Sequence, residues 1–149
     1  MSRLALHHLL SAAVVVALVA EPVIGSGAAS DDYKIIVHPD NPMSVVDRGF
    51  LREIYLRKAT DWSGGGPIRP IDLARRFAVR DRFALEVLKK TPAQLKSYWN
   101  QQIFSGKGVP PPEAESPADV VRYVLDHPGA VGYVPASTGV GRAKVIEVK

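Results

Sequence analysis

The sequence contains no cysteine, which excludes disulfides, a thiol nucleophile and the acylated cysteine that tethers exported lipoproteins to a membrane. Histidine is scarce: His7, His8, His38 and His127 are too scattered to read as a metal set. Apolar runs are short. The longest, Leu9 to Ala20, is about a dozen residues, whereas a membrane-spanning helix needs roughly 20. A strong excess of one charge is also missing. The formal net charge is +4, and basic residues alternate with acids, as in Asp47-Arg48, Arg52-Glu53 and Arg80-Asp81-Arg82. No stripe of Lys and Arg interleaved with aromatics offers itself to nucleic acid.

The usual catalytic constellations are absent as well. The Gly64-Gly65-Gly66 run ends in Pro67 and not in the Gly-Lys-Ser/Thr that opens a nucleotide-binding helix. Ser63-Gly64 and Ser137-Thr138-Gly139 lack the context of an activated serine. Glu113 and Glu115 sit in a proline-rich loop, and Asp31-Asp32 borders a processing site, so neither pair suggests acid–base work. These residues predict a binding module and not an enzyme, with no cofactor and no metal.

The first residues follow a signal-peptide layout: Arg3, the apolar run, then Gly27-Ala28-Ala29 as small residues before a cut. Residues 1–29 are expected to be removed on export to the periplasm, with a mature start between Glu21 and Asp32. Residues 30–149 are enough for one domain with its own core.

Within that domain, Tyr33 to His38 reads as a strand leaving into a proline turn. Val46, Phe50, Leu51 and Ile54 recur at helical spacing, with Ser44 or Asp47 as the cap. The glycine turn precedes a strand from Ile68 to Leu73, and Trp62 is expected to pack on the sheet. Val79, Phe83, Val87 and Leu88 mark a second helix. Thr91-Pro92 and Ser116-Pro117 each open a further helix by a cap followed by proline. Leu95, Tyr98, Trp99 and Ile103 are the expected buried face of the third. Residues 108–113 read as a loop, Ala130 to Val134 as a strand, and Lys144 to Val148 as a last strand at the sheet edge. The order β-α-β-α-α-α-β-β predicts an α/β domain with a mixed or largely parallel sheet covered by helices. Arg75, Arg76, Arg80 and Arg82 gather at the start of the second helix, where free backbone N–H groups and guanidinium forks favour an oxyanion. Arg80 is the expected centre of any such site.

Several landmarks occur in order: Val37-His38-Pro39-Asp40-Asn41-Pro42, then Phe50-Leu51-Arg52-Glu53-Ile54-Tyr55-Leu56, Asp61-Trp62, and Gly66-Pro67-Ile68-Arg69-Pro70. Arg80-Asp81-Arg82-Phe83, Tyr98-Trp99, Phe104-Ser105-Gly106 and the run from His127 to Val134 follow. Together they resemble the phosphate ABC-transporter substrate-binding family across nearly all of residues 33–148. The resemblance implies the periplasmic-binding-protein type II fold, in which two α/β lobes close on a ligand, and the length here suits a single lobe. It implies a small oxyanion such as phosphate as ligand, with Ser44, Arg75, Arg76 and Arg80 as the candidate contacts and the membrane subunits of an importer as partners. One departure stands out: Phe77-Ala78-Val79 replaces the family's Ser-Gly-Thr, whose small donors wrap the anion. That substitution suits an alternative, a one-lobe interaction or sensory accessory module of an envelope complex that has lost its ligand.

Overall fold

Residues 32–149 are described by the computed structural model; the expected signal segment, residues 1–29, lies outside them. Among the described residues no helix is long and apolar enough to cross a membrane.

Tyr33–Val37 forms β1, and its last three residues are buried on both faces. The neighbours explain why this strand is a continuous apolar run instead of an alternating one. Ala130–Pro135 (β6) pairs antiparallel on one side, and Lys144–Val148 (β7) pairs antiparallel on the other. Val45–Val46 (β2) lies parallel along the outer side of β7, and Arg69–Pro70 (β3) parallel along the outer side of β6. The five-stranded order is thus β2-β7-β1-β6-β3. The sheet is mixed, as expected, but its centre is antiparallel: β6 and β7 both oppose β1, and the loop over residues 136–143 returns the chain along β1 from its Tyr33 end to its Val37 end. The last strand also differs from expectation: β7 is one place inside the edge, which the two residues of β2 occupy.

The strand expected from Ile68 to Leu73 divides at Ile71. Arg69 N–H donates to Gly129 O at 3.0 Å and Ile71 N–H to Val131 O at 2.9 Å, while Pro70 has no N–H to give. Beyond Ile71 the chain turns to a second sheet, in which Asp72–Leu73 (β4) pairs parallel with Glu113–Ala114 (β5). The end of the expected loop over residues 108–113 therefore supplies a strand.

Arg48–Tyr55 forms α1, capped by Asp47, whose Oδ1 accepts from Phe50 N–H at 3.0 Å. Ala78–Phe83 (α2) continues into a π-helical turn over Ala84–Leu88 and stops at Lys89, which has φ 56°. Pro92–Phe104 (α3) starts with a capping box between Thr91 and Gln94, and Pro117–Asp126 (α4) starts on Ser116. Side chains alternate across β6, and the helices divide accordingly. Gly132 faces α4 and Ile71. Tyr133 faces α1 and α2, where its ring stacks on Phe83 at 4.0 Å and meets Tyr55 edge-on at 5.9 Å.

The Pro128-Gly129-Ala130-Val131-Gly132-Tyr133 run is a packing device. A Cβ on Gly132 would lie 2.6 Å from Val120 Cγ1 and 2.9 Å from Ile71 Cγ2. Gly129 has φ +83°, and its carbonyl accepts from Trp62 Nε1 at 3.0 Å. Trp62 is buried, as expected.

The third helix departs from its expected face. Of its thirteen residues only Leu95 is buried. Tyr98 and Trp99 are half-buried, Ile103 is 53 % exposed and Phe104 97 % exposed. An aromatic spacing that ordinarily marks a core here marks a helix laid shallowly on the body.

Candidate anion groove

Asp72 is the one ionisable residue in the Ile68–Leu73 run apart from Arg69, and its side chain is only 13 % exposed. Arg80, at 11 %, is equally enclosed and meets it at 2.9 Å through Nη2. Arg80 Nη1 donates to the Leu73 carbonyl at 2.8 Å and to Glu113 Oε2 at 2.7 Å. The Tyr133 hydroxyl donates to Asp72 Oδ1, which also accepts from Leu73 N–H at 2.9 Å. One guanidinium thus ties α2 to β4 and β5, and through Asp72 to β6. Burial pushes the Asp72 carboxyl up, against the pull of Arg80 and of the Tyr133 hydroxyl, and the net direction is upward. Burial would lower Arg80, but hydrogen bonding to Glu113 and the charge of Asp72 outweigh it and hold the guanidinium charged.

This network forms one wall of a groove between α2, α3 and the strand β5. Its lining includes Arg75, Arg80, Asp81, Lys96, Trp99, Asn100 and Glu113, around about 420 Å³. Arg75 is exposed, lies two residues beyond β4 and lines the same space as Lys96 and Asn100 of α3. The cations outnumber the carboxylates by one, and Glu113 is already matched by Arg80.

The four residues expected to contact an oxyanion therefore fall into three places. Arg75 and Arg80 share the groove. Arg76 turns away to Glu115, bonding its carboxylate at 2.9 Å and its carbonyl. Ser44 is exposed beside β2, where its carbonyl accepts from Glu147 N–H at 3.0 Å, and Asp47 takes the capping role. Lys96, Trp99 and Asn100 were not singled out for binding by the sequence. Their signal was the low polarity contrast between the sides of α3, which leaves its aromatic and cationic residues free to line a surface. Asp72 had a plainer signal, an acid inside an apolar strand run, which demands a buried partner. At the start of α2, Phe77 is half-buried under the Arg76 guanidinium, 5.0 Å from the ring centroid. It contributes no donor there. Among the described residues no group of His, Asp and Glu is placed to hold a metal ion.

No protein-family model matches the chain, and no curated protein matches it. Solved structures do share its fold. A protein described as a phosphate ABC-transporter substrate-binding protein, from Clostridium perfringens with phosphate bound, superposes with a TM-score of 0.62 at 21 % identity over 78 % of this chain. An ABC-type phosphate transport receptor from Vibrio cholerae gives 0.63 at 18 % identity over the same share. PstS from Borrelia burgdorferi gives 0.57 at 13 % identity. The match takes in 44 %, 45 % and 47 % of those chains respectively, so this chain spans less than half their length. The fold is that of a single lobe of such proteins, as the resemblance implied, with the mixed α/β sheet that the order of elements predicted.

Proposed function

We propose that this chain is an exported binding lobe that holds a small oxyanion such as phosphate reversibly, without covalent chemistry, in association with an importer of the ABC class. The observation that carries this reading is the groove between α2 and α3, of small-ligand size and lined by Arg75, Arg80 and Lys96, on a fold shared with phosphate-binding proteins. In this reading Arg75 makes the first contact, Lys96 and Asn100 complete the cradle, and Arg80 backs it with its charge while remaining bound to Asp72 and Glu113. Calorimetric titration of the exported protein with inorganic phosphate tests it. Arg75→Ala is expected to weaken binding about tenfold to a hundredfold, the loss of one charge-assisted hydrogen bond of about 1.5–3 kcal/mol. Arg57→Ala, just beyond the C-terminal end of α1, should leave it unchanged. Equal losses at the two arginines would reduce the groove to diffuse charge and sink this reading.

Export is the second half of the proposal. Mass spectrometry of the soluble periplasmic fraction is expected to give an N-terminus between Glu21 and Asp32. Finding residues 1–20 intact on protein extracted from membranes would contradict it.

A second reading has its own support. Phe77-Ala78-Val79 brings no hydroxyl donor to the start of α2, and the Arg80 guanidinium is taken by internal carboxylates. Both favour an accessory or sensory module that has given up its ligand, and absence of phosphate binding in the titration would select it.

A further inference from the structure

Asn41 is the one polar residue buried outright among the described residues, at 8 % exposed. Its Oδ1 accepts from Met43 N–H at 2.9 Å, which fixes the orientation of the amide, since the reverse would set donor against donor. Its backbone carbonyl accepts from Lys144 Nζ at 3.1 Å. Nothing among the described residues accepts from its Nδ2. A buried amide without a partner is costly, and one that persists calls for an explanation in the space around it. Asn41 lines a cavity of about 260 Å³ that also takes in Pro67 and Gly129, just ahead of β3 and β6. Beside it stands His38, directly after β1, with a side chain 13 % exposed. Its Nδ1 accepts from Asp40 N–H at 3.2 Å, which leaves the ring hydrogen on Nε2. Nε2 likewise has no partner among the described residues. Pro42, Met43, Trp62, Pro67 and Pro128 supply apolar walls, and the Gly64-Gly65-Gly66 turn completes the lining. Trp62 Nε1 is already given to the Gly129 carbonyl, so the indole adds surface and no donor.

We propose that this cavity binds a small neutral molecule with an apolar body and a carbonyl acceptor, held by Asn41 Nδ2 and His38 Nε2. Both unpartnered groups are donors, so the ligand must bring the acceptor. No Lys or Arg lines the space, and its one carboxylate, Asp40, is 89 % exposed and carries a charge that repels anions. An ammonium group has donors only, and these would meet donors at Asn41 and His38. A sugar brings a donor with every hydroxyl, and walls of proline, methionine and tryptophan offer those hydroxyls no strong acceptor. The volume is below the roughly 300–1,000 Å³ of drug-sized pockets, which limits the ligand to a single ring and its carbonyl. The anion groove lies beyond the end of β4 and shares no lining residue with this cavity, so the inference stands whether or not phosphate binds.

N-acetylpyrrolidine, titrated into the isotope-labelled exported protein and followed by NMR, tests the proposal. The Asn41 side-chain amide, the Trp62 indole and the backbone amides of Gly64, Gly65 and Gly66 are expected to shift together. They should saturate in the low-millimolar range of so small a ligand. N-ethylpyrrolidine has the same skeleton with the carbonyl removed and a charge added, and should leave these resonances where they are. Acetate, glucose and inorganic phosphate should do the same, phosphate even where it moves Arg75. Asn41→Asp keeps the oxygen that Met43 N–H needs, removes both free donors and should weaken binding about tenfold. His38→Phe keeps a ring in place without its donor and should weaken binding several-fold, and it carries the test if Asn41→Asp lowers the urea midpoint. A blocked alanyl-prolyl-alanine peptide presents the same ring and carbonyl within a chain. Tighter binding than the probe assigns the natural ligand to peptides, and weaker binding assigns it to free molecules. The proposal is overturned by an absence of shifts at these residues, by shifts that neither substitution reduces, or by an equal response to N-ethylpyrrolidine, acetate or glucose.

Discussion

Arg80→Ala is expected to lower the stability of the lobe by about 3–5 kcal/mol, the cost of leaving one partner of a buried ion pair uncompensated. Asp72 would keep its buried carboxylate beside the Tyr133 hydroxyl, while the Leu73 carbonyl and Glu113 would lose their donor. Against a typical total of about 5–15 kcal/mol this is a large share, and urea denaturation should read it as a fall in midpoint of roughly 1–5 M. Arg76→Ala supplies the contrast. Its pair with Glu115 has both side chains more than half exposed, and such pairs are worth about 0–1 kcal/mol. The cause can be isolated by replacing Asp72 as well. Arg80→Met with Asp72→Leu should recover part of the loss, because a buried pair exchanged for apolar side chains leaves no orphaned charge between them. If the midpoint of Arg80→Ala matches the parent, the Asp72–Arg80–Glu113 network holds nothing together.

A second large loss is expected at Gly129→Ala. With φ at +83° any side chain is strained by about 1–3 kcal/mol. The new Cβ would also run into the carbonyl of Pro67, and backbone gives way less readily than a side chain, so crowding adds about another 1–3 kcal/mol. Gly132→Ala separates the two contributions. Its backbone needs no special conformation, and the Cβ would meet only methyl groups of Val120, Val124 and Ile71, for about 1–3 kcal/mol of overpacking. Thermal melts of the two variants should therefore rank Gly129→Ala the lower. Equal melting temperatures would mean that the β3–β6 junction relaxes around an added methyl group.

Local chemistry was legible in the sequence wherever one residue and its neighbours decide the outcome. Thr91-Pro92 and Ser116-Pro117 opened helices because the cap and the proline act within a single turn. The β-branched run at β1 and the turn after it behaved in the same way. Features that depend on distant partners were not legible. Nothing near Ile71 announces that the chain changes sheets there, since the cause is Pro112 and Ala114 accepting its next hydrogen bonds forty residues on. β2 and β5 each have two residues, too few to carry a period. The face of α3 was misjudged for a related reason. Spacing shows which residues share a side of a helix, and it cannot show that the body beneath receives only Leu95. For the groove, the arginine cluster marked the junction that Arg75 and Arg80 share, but the pairings of its members were set by Asp72, Glu113 and Glu115, and charge counting along the chain cannot assign such pairings.

The position of β1 between β6 and β7 also sets the order of events in folding. Ile35 lies opposite both Tyr133 and Ile146, so the first strand of the lobe has no neighbour until about a hundred further residues are available, and contacts of such separation fold slowly because loop closure must precede them. A chain emerging N-terminus first exposes the apolar Ile35-Ile36-Val37 segment throughout that interval, with α1 to α4 free to form around a missing centre. The sheet can close only when residues 130–148 arrive, and a chain cut after Pro135 would leave one side of β1 bare. Such a topology leaves the β1 segment without its sheet neighbours until residues 130–148 are available, so the centre of the lobe forms last.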